Sequence, residues 1–251
     1  MEQQHSLEGR VALITGGSRG LGLEMARAFA AHGADVIVAS RKQRPCGEVA
    51  DELRRDHGVR ALGVAANVSH WEHCDALVET AYEEFGRVDV LANNAGMSPL
   101  YPSVDAVEEA LFDKVIGVNL KGPFRLAALV GSRMAQGEGG SIINVSSIAA
   151  IRPTPDVLPY AAAKAGLNAL TEGLAQTFGP TVRVNAIMAG PFLTDIAKAW
   201  DLDAFEQRAR QTLALQRGGQ PHEVVGAALY FASDASSFTT GAVLRVDGGA
   251  R

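Results

Sequence analysis

Tyr160 and Lys164 stand four residues apart in Tyr160-Ala-Ala-Ala-Lys164, and Ser147 lies thirteen residues upstream. On a helix, residues i and i+4 share one face about one turn apart. A phenol ordinarily ionises near pH ~10, so it transfers protons poorly at neutrality. An ammonium beside it favours the phenolate and is expected to draw Tyr160 toward the working range. Ser147 closes the run Ile142-Ile-Asn-Val-Ser-Ser147. That run reads as the end of a buried strand, where a hydroxyl is placed to bond the oxygen whose proton moves. Taken alone, the pair is also what a solvated Ala-rich helix shows, so the surrounding elements must supply the context.

Those elements alternate along the whole chain. Short apolar runs fall at Val11–Thr15, Val36–Ala39, Ala61–Ala66, Val88–Ala92, Ser141–Val145, Val182–Ile187 and Ala242–Val246. They lack polar alternation, as expected of parallel strands covered on both faces. Amphipathic stretches between them predict helices over Gly20–Ala31, Gly47–Asp56, Glu72–Phe85, Val107–Met134, Pro159–Phe178 and Pro221–Ala232. Such βα alternation means an α/β chain with a doubly wound parallel sheet. At 251 residues, with no linker or repeat, one domain is expected. Phe192–Arg217, with Trp200 and Phe205, breaks the rhythm and reads as a helical insertion at the sheet's edge, placed to act as a lid.

Composition excludes several classes. A net charge of -5 leaves no basic footprint for nucleic acid. No apolar run reaches the ~18 residues that cross a bilayer. The N-terminal Met-Glu-Gln-Gln-His-Ser does not read as a secretory leader, and Cys46 and Cys74 form no motif. A cytoplasmic protein with reduced thiols is expected. His70, His73 and Cys74 cluster without a fourth ligand, so no metal site is expected.

Thr15-Gly-Gly-Ser-Arg-Gly-Leu-Gly22 joins the first strand to the first helix. Gly16 turns the chain, Gly20 admits a pyrophosphate close to the backbone, and Gly22 lets helix pack on strand. N–H groups across Ser18, Arg19, Gly20 and Leu21, with the positive helix end, then suit a dinucleotide. A kinase-type phosphate loop needs a Gly-Lys-Ser/Thr that is missing here. The second strand ends in Ser40-Arg41-Lys42, with no carboxylate to select NAD through the ribose hydroxyls. Arg19 and Arg41 are suited instead to a 2′-phosphate, so NADP(H) is expected over NAD(H).

Together these residues resemble the short-chain dehydrogenase/reductase family of nicotinamide-dependent oxidoreductases. The resemblance runs from Val11 to Gly249. It is carried by Thr15–Gly22, Asn93-Asn-Ala-Gly96, Val118-Asn119, Ser147, Tyr160-x-x-x-Lys164, Gly190-x-x-x-Thr194 and Val246-Asp-Gly-Gly249. It implies a single-domain Rossmann fold whose seven-stranded parallel sheet has helices on both faces. Tyr160 resembles the family's general acid/base, and Lys164 the residue that lowers its pKa and holds the nicotinamide ribose. Ser147 resembles the residue that polarises the substrate oxygen; Ser146 is off the spacing. Asn119 resembles the residue whose carbonyl or amide holds a water beside the lysine. Asn93, Ala95 and Gly96 resemble the turn against the adenosine ribose that also supports the sheet. Gly190, Phe192 and Thr194 resemble the loop that grips the carboxamide. Helices around Met134 and Tyr160, with Ala161, Ala162, Ala165 and Ala169, resemble dimer-forming surfaces, which implies a homotetramer.

The chain departs from the family pattern at two places. Met188-Ala-Gly-Pro191 replaces a usual Pro-Gly, and Asn67-Val68 replaces an aspartate beside adenine. The pocket walls are expected from Met97–Tyr101, Ile148–Leu158 and Phe192–Gln211. They leave sugars, 3-oxoacyl thioesters and cyclic or steroid-like ketones open, with a small sugar-like or cyclic alcohol or ketone favoured. A nucleotide-binding scaffold without activity is the rival from outside enzymology, since a fold alone proves no chemistry.

Overall fold

Alternate residues of the central apolar runs feed opposite layers of the molecule. In β1 (Val11–Thr15), Ala12 and Ile14 pack with Met25, Phe29 and Phe231 on one side. Val11 and Leu13 pack with Leu77, Leu126 and Phe178 on the other. In β2 (Asp35–Ser40), Val36 and Val38 join the first cluster, Ile37 and Ala39 the second. A strand buried on both faces has no solvent side, which is why these runs show no polar alternation.

The computed structural model describes residues 2–194 and 201–250. Strands β3 (Ala61–Ala65), β4 (Val90–Asn93), β5 (Gly140–Ser147), β6 (Val182–Ala189) and β7 (Val243–Val246) complete one sheet. Its order is β3-β2-β1-β4-β5-β6-β7, and every neighbouring pair is parallel. Helices α1 (Gly20–Ala31), α2 (Gln43–His57) and α3 (Trp71–Phe85) follow the first three strands. Helices α4 (Glu109–Ile116), α5 (Gly122–Gln136) and α6 (Leu158–Phe178) connect β4 to β6, and α7 (Leu202–Thr212) and α8 (Val225–Ala232) precede β7. Strand order reverses between β1 and β4, so their C-terminal ends at Thr15 and Asn93 flank the crevice where ligands of such sheets bind. Among the described residues no helix is long and apolar enough to cross a membrane.

Two expectations are corrected. The single helix over Val107–Met134 is two helices joined by a wider π-type turn, Gly117–Lys121. Pro123, with no N–H to give, sits in the first turn of α5. Asn119 in the π turn donates through Nδ2 to Val115 O at 2.9 Å and Met97 O at 2.8 Å. A Cβ on Gly122 would sit 2.3 Å from the carbonyl oxygen of Val68, so only glycine lets this helix start against the loop after β3. Separately, α2 begins four residues before its expected start, at Gln43. Pro45 is tolerated in its first turn, and the Gln43 side chain ties to Gly63 O and Ala65 N.

Within Phe192–Arg217, Phe192 pairs with Gly219 in an isolated bridge, and Phe205, Ala209 and Leu213 pack on Leu193 and Ala250. Trp200 lies outside the described residues. Cys46 and Cys74 are buried free thiols. Cys74 donates to Val68 O at 3.4 Å, turned into the core, and burial pushes its thiol up to about 11.

Candidate active site

The strand–turn–helix at the crevice is locked by backbone contacts. Gly16 and Gly20 both have positive φ, at 66° and 56°. Added Cβ atoms would sit 2.8 Å from Asn94 Nδ2 at Gly16 and 2.3 Å from the Gly16 carbonyl oxygen at Gly22. Gly22 therefore packs against the turn itself. Asn94 pins that turn: its Nδ2 donates to Thr15 O at 3.0 Å and Gly16 O at 3.3 Å. Thr15 Oγ1 in turn accepts from the N–H groups of Asn94 and Ala95, each at 3.1 Å. Thr15 and Asn94 were not among the expected site residues, although both lie inside the quoted motifs. Their types, a short hydroxyl and an amide at the ends of two adjacent strands, were the available signal.

The N-terminus of α1 is open. Arg19 caps it in extended conformation without a side-chain bond, and no acidic residue lies in the first turn. A Cβ on Gly20 would meet only Thr194, at 3.5 Å. Unpaired N–H groups, a positive helix end and space over a glycine fit a pyrophosphate. The same contact brings Thr194 to the glycine turn. The loop bearing it is braced: Gly190 N–H donates to Val246 O at 2.9 Å, Leu193 N–H to Gly219 O at 2.8 Å, and Gly219 N–H to Pro191 O at 3.0 Å. A Cβ on Gly190 would lie 2.5 Å from Asp247 Cα. The sequence Met188-Ala-Gly-Pro191 thus keeps the glycine where the C-terminal strand crosses, and Phe192 turns its ring into the core.

At the adenosine end, Ser18 Oγ donates to Ser40 Oγ at 3.0 Å, and Ser40 Oγ lies 2.9 Å from Cys46 Sγ. Arg19 and Arg41 are exposed, and neither guanidinium has an ion-pair, hydrogen-bond or ring partner among the described residues. Asn67 Oδ1 accepts from Ser69 Oγ at 2.9 Å and Ser69 N at 3.3 Å, so its oxygen is spent in the turn and its amide donors remain. Val68 is buried behind it. The Asn93 side chain points into the sheet, donating to Asn144 Oδ1 at 3.0 Å and Pro123 O at 3.3 Å. These bonds tie the end of β4 to β5 and to the start of α5.

The fourth group gathers at the ends of β4 and β5. Ser147 is the last residue of β5, and Tyr160 and Lys164 lie on the first turns of α6. Lys164 Nζ sits 5.7 Å from the centroid of the Tyr160 ring and donates to Val145 O at 2.7 Å. Ser147 Oγ accepts from Ala149 N–H at 3.2 Å, which fixes its rotamer, and the Ser147 side chain is near enough to Tyr160 to pull its pKa down. Ser146 Oγ donates to Lys164 O at 3.3 Å, facing the helix as its spacing implied. Gly96 has no Cβ, which would lie 3.1 Å from Asn119 Oδ1 and 3.7 Å from Lys164 Nζ. Asn119 is wholly buried, and its Oδ1 accepts from Met97 N–H at 3.2 Å. The π turn and the segment after β4 are thereby stitched beside Lys164.

The electrostatics correct one expectation. Burial raises the Tyr160 pKa above its ordinary value, and the hydrogen bond with Ser147 pulls it back only in part. Burial also pushes the Lys164 ammonium down to about 8. Desolvation disfavours both charged forms, and here it outweighs the attraction expected between them. Tyr160 therefore holds its proton at neutral pH, while Lys164 remains mostly protonated there.

The family model described as enoyl-(acyl carrier protein) reductase matches residues 16–251. The chain belongs to the short-chain dehydrogenase/reductase family. It is 37% identical to a short chain dehydrogenase/reductase of Aspergillus oryzae over 99% of this chain and 97% of that one. A 3-oxoacyl (acyl-carrier-protein) reductase of Agrobacterium tumefaciens, solved with NADP bound, superposes with a TM-score of 0.93. It shares 31% identity, covering 99% of this chain and 97% of that one. A 7α-hydroxysteroid dehydrogenase complexed with NADH and 7-oxo glycochenodeoxycholic acid superposes with a TM-score of 0.94 at 32% identity, covering 100% and 97%. Family membership makes the protein an oxidoreductase, and solved relatives hold either NADP or NADH.

Proposed function

We propose that this chain is an NADP(H)-preferring alcohol dehydrogenase or ketoreductase acting on CH–OH groups. The observation that carries the reading is the buried Lys164 ammonium 5.7 Å from the Tyr160 ring, with the Ser147 side chain beside the same phenol. When bound, the coenzyme supplies or accepts the hydride at its nicotinamide. The protein's own groups do the rest. In reduction, Tyr160, kept protonated by burial, donates its proton to the substrate oxygen, and Ser147 stabilises the charge developing there. In oxidation, Tyr160 must first release its own proton to solvent, and the phenolate so formed, favoured by the Lys164 charge, takes the hydroxyl proton. The Asn119 side chain is committed to Met97 and Val115, so its main-chain carbonyl is the group left to hold a water on the proton route.

Ser18, Arg19, Gly20, Leu21 and Gly22 would hold the pyrophosphate with Gly16. Asn67 and Val68 would flank adenine, Ala95 and Gly96 the ribose, and Gly190, Phe192 and Thr194 the carboxamide, with Lys164 on the nicotinamide ribose. Support for NADP(H) comes from Arg19 and Arg41, cations without partners beside Ser40 where a carboxylate is absent. A second reading, a 3-oxoacyl-thioester reductase, is favoured by the acyl-carrier relative with NADP bound. A turnover screen of alcohols, ketones and acyl thioesters with both coenzymes tests these readings. Absence of any turnover, with coenzyme still bound, would favour a silent scaffold.

Two further proposals follow from the surface. The outer faces of α5 and α6 expose Phe124, Ala162, Ala165 and Ala169, which suits the helix pairing of a homotetramer. Light scattering checks it, and a monomer would contradict it. A cytoplasmic location fits the two buried free thiols.

A further inference from the structure

The loops after β4 and β5 carry an arrangement that the hydride chemistry does not need. Tyr101, eight residues past β4, donates its hydroxyl to Pro155 O at 2.7 Å and accepts from Leu158 N–H at 2.8 Å. One phenol therefore latches the segment after β4 to the segment that leads into α6, two residues before Tyr160. The two latched segments expose Leu100 at 67%, Val104 at 58%, Ile151 at 50% and Leu158 at 38%. These are four of the eleven large apolar side chains exposed among the described residues, gathered in residues 97–104 and 148–158. A concentration of exposed apolar side chains on loops next to the reacting groups marks a surface that binds something apolar.

A cation stands within the same rim. Arg152 N–H donates to Ile148 O at 2.9 Å, which winds the residue directly onto the turn capped by Ser147. Its side chain is exposed. Among the described residues only Arg19, Arg41 and Arg152 have a guanidinium with no hydrogen bond, ion pair or ring contact. Asp156 lies four residues away on the same loop and does not pair with it. Arg152 lies on the segment between Ser147 and Tyr160 that Tyr101 latches.

Resting on the oxidoreductase reading above, we propose that the substrate is an amphiphilic anion. Its apolar body lies against the rim latched by Tyr101, and a terminal carboxylate or phosphate is held by Arg152. This replaces the expectation of a small sugar-like substrate.

The test uses a cyclohexanone carrying a propanoate side chain para to the carbonyl, its methyl ester, the matching propyl phosphate, and a free ketose. Each is assayed with NADPH and NADH. Wild type should prefer the acid or the phosphate over the ester by about ten-fold or more in kcat/KM, the scale of one charge-assisted hydrogen bond. Arg152→Ala should bring that ratio close to one, and Arg152→Lys should retain part of it. A higher rate with the phosphate than with the acid names phosphate as the anion, and the reverse names carboxylate. Equal handling of acid and ester by wild type overturns the proposal even if the variant fails to fold. So does an acid preference that survives Arg152→Ala, or a ketose that outperforms every cyclohexanone. Turnover of the ester or ketose alone leaves the oxidoreductase reading standing, whereas no turnover of any probe with either coenzyme removes both.

Discussion

At the glycine turn, the chain is packed tightly against itself and pinned by the Asn94 and Thr15 side chains. Gly16 and Gly22 leave no room for a side chain, Asn94 bonds two consecutive carbonyls, and Thr15 bonds two consecutive N–H groups. Along the same sheet edge, the segments after β4 and β5 are exposed, apolar and joined by one phenol. The coenzyme end must present a rigid cradle to a ligand of fixed shape, so it is built from backbone packing that tolerates little change. The substrate end is built from side chains on loops, which can be exchanged without disturbing the sheet. Lys164 belongs to the first kind, being buried and bonded to Val145, whereas Arg152 belongs to the second.

That contrast can be broken by substitution, beginning with the chemistry. Tyr160→Phe should cut kcat by about 10³-fold while leaving coenzyme affinity intact, because it removes only the transferable proton. Steady-state rates and a coenzyme fluorescence titration check this, and near-normal turnover would refute the role.

The burial of Lys164 should appear in the pH dependence of folding. Its pKa falls from 10.5 to about 8 on folding, so between those values the unfolded chain binds more protons. Stability should therefore rise with pH from about 8 toward 10, relieving a cost on the order of 3 kcal/mol that is fully present below pH 8. The raised pKa values of Cys74 and Tyr160 act in the opposite sense, the thiol above its ordinary value of 9.0 and the phenol above its ordinary value of 10.0. Tm measured across pH 8 to 9, below the range in which the raised Cys74 thiol opposes it, should climb in wild type and flatten in Lys164→Met. An unchanged slope in the variant would show that another group titrates there.

Gly22→Ala places a methyl 2.3 Å from the Gly16 carbonyl oxygen. It should cost about 1–3 kcal/mol by overpacking and weaken coenzyme binding, read by thermal melts and titration. Arg41→Ala and Arg19→Ala should each raise KM for NADPH by about ten-fold and leave KM for NADH nearly unchanged, the signature of a lost phosphate contact. Equal effects on both coenzymes would remove the argument for a 2′-phosphate site. Smallest, Tyr101→Phe should raise substrate KM by about three-fold with little change in kcat or coenzyme affinity, since both freed backbone groups can turn to water. A fall in kcat that tracks Tm would make the latch merely structural.

The legibility of the sequence follows the same division. Val11–Thr15 and Gly20–Ala31 have the same bounds in the sequence reading and in the structure, because burial on both faces and a glycine turn leave local signals. The stretch Val107–Met134 reads as one helix although Gly117 and Gly122-Pro123 bracket the π turn, because the side chain that holds the turn bonds Met97 in a distant loop. Asn93, which resembles part of the turn that packs on the ribose and supports the sheet, directs its amide to Asn144, a side-chain direction that only the assembled sheet shows.

The spacing of Ser147, Tyr160 and Lys164, the glycine turn and the alternation of apolar runs determined the family, the sheet and the kind of chemistry. These are local patterns tied to helical and strand periods, so one dimension suffices to read them. Only the tertiary structure decided the protonation of Tyr160 and Lys164, the bracing of Gly190 by Asp247, and the meeting of Tyr101 with Pro155 and Leu158. Burial and contacts between residues far apart in the chain depend on how the layers close, and no local period encodes that.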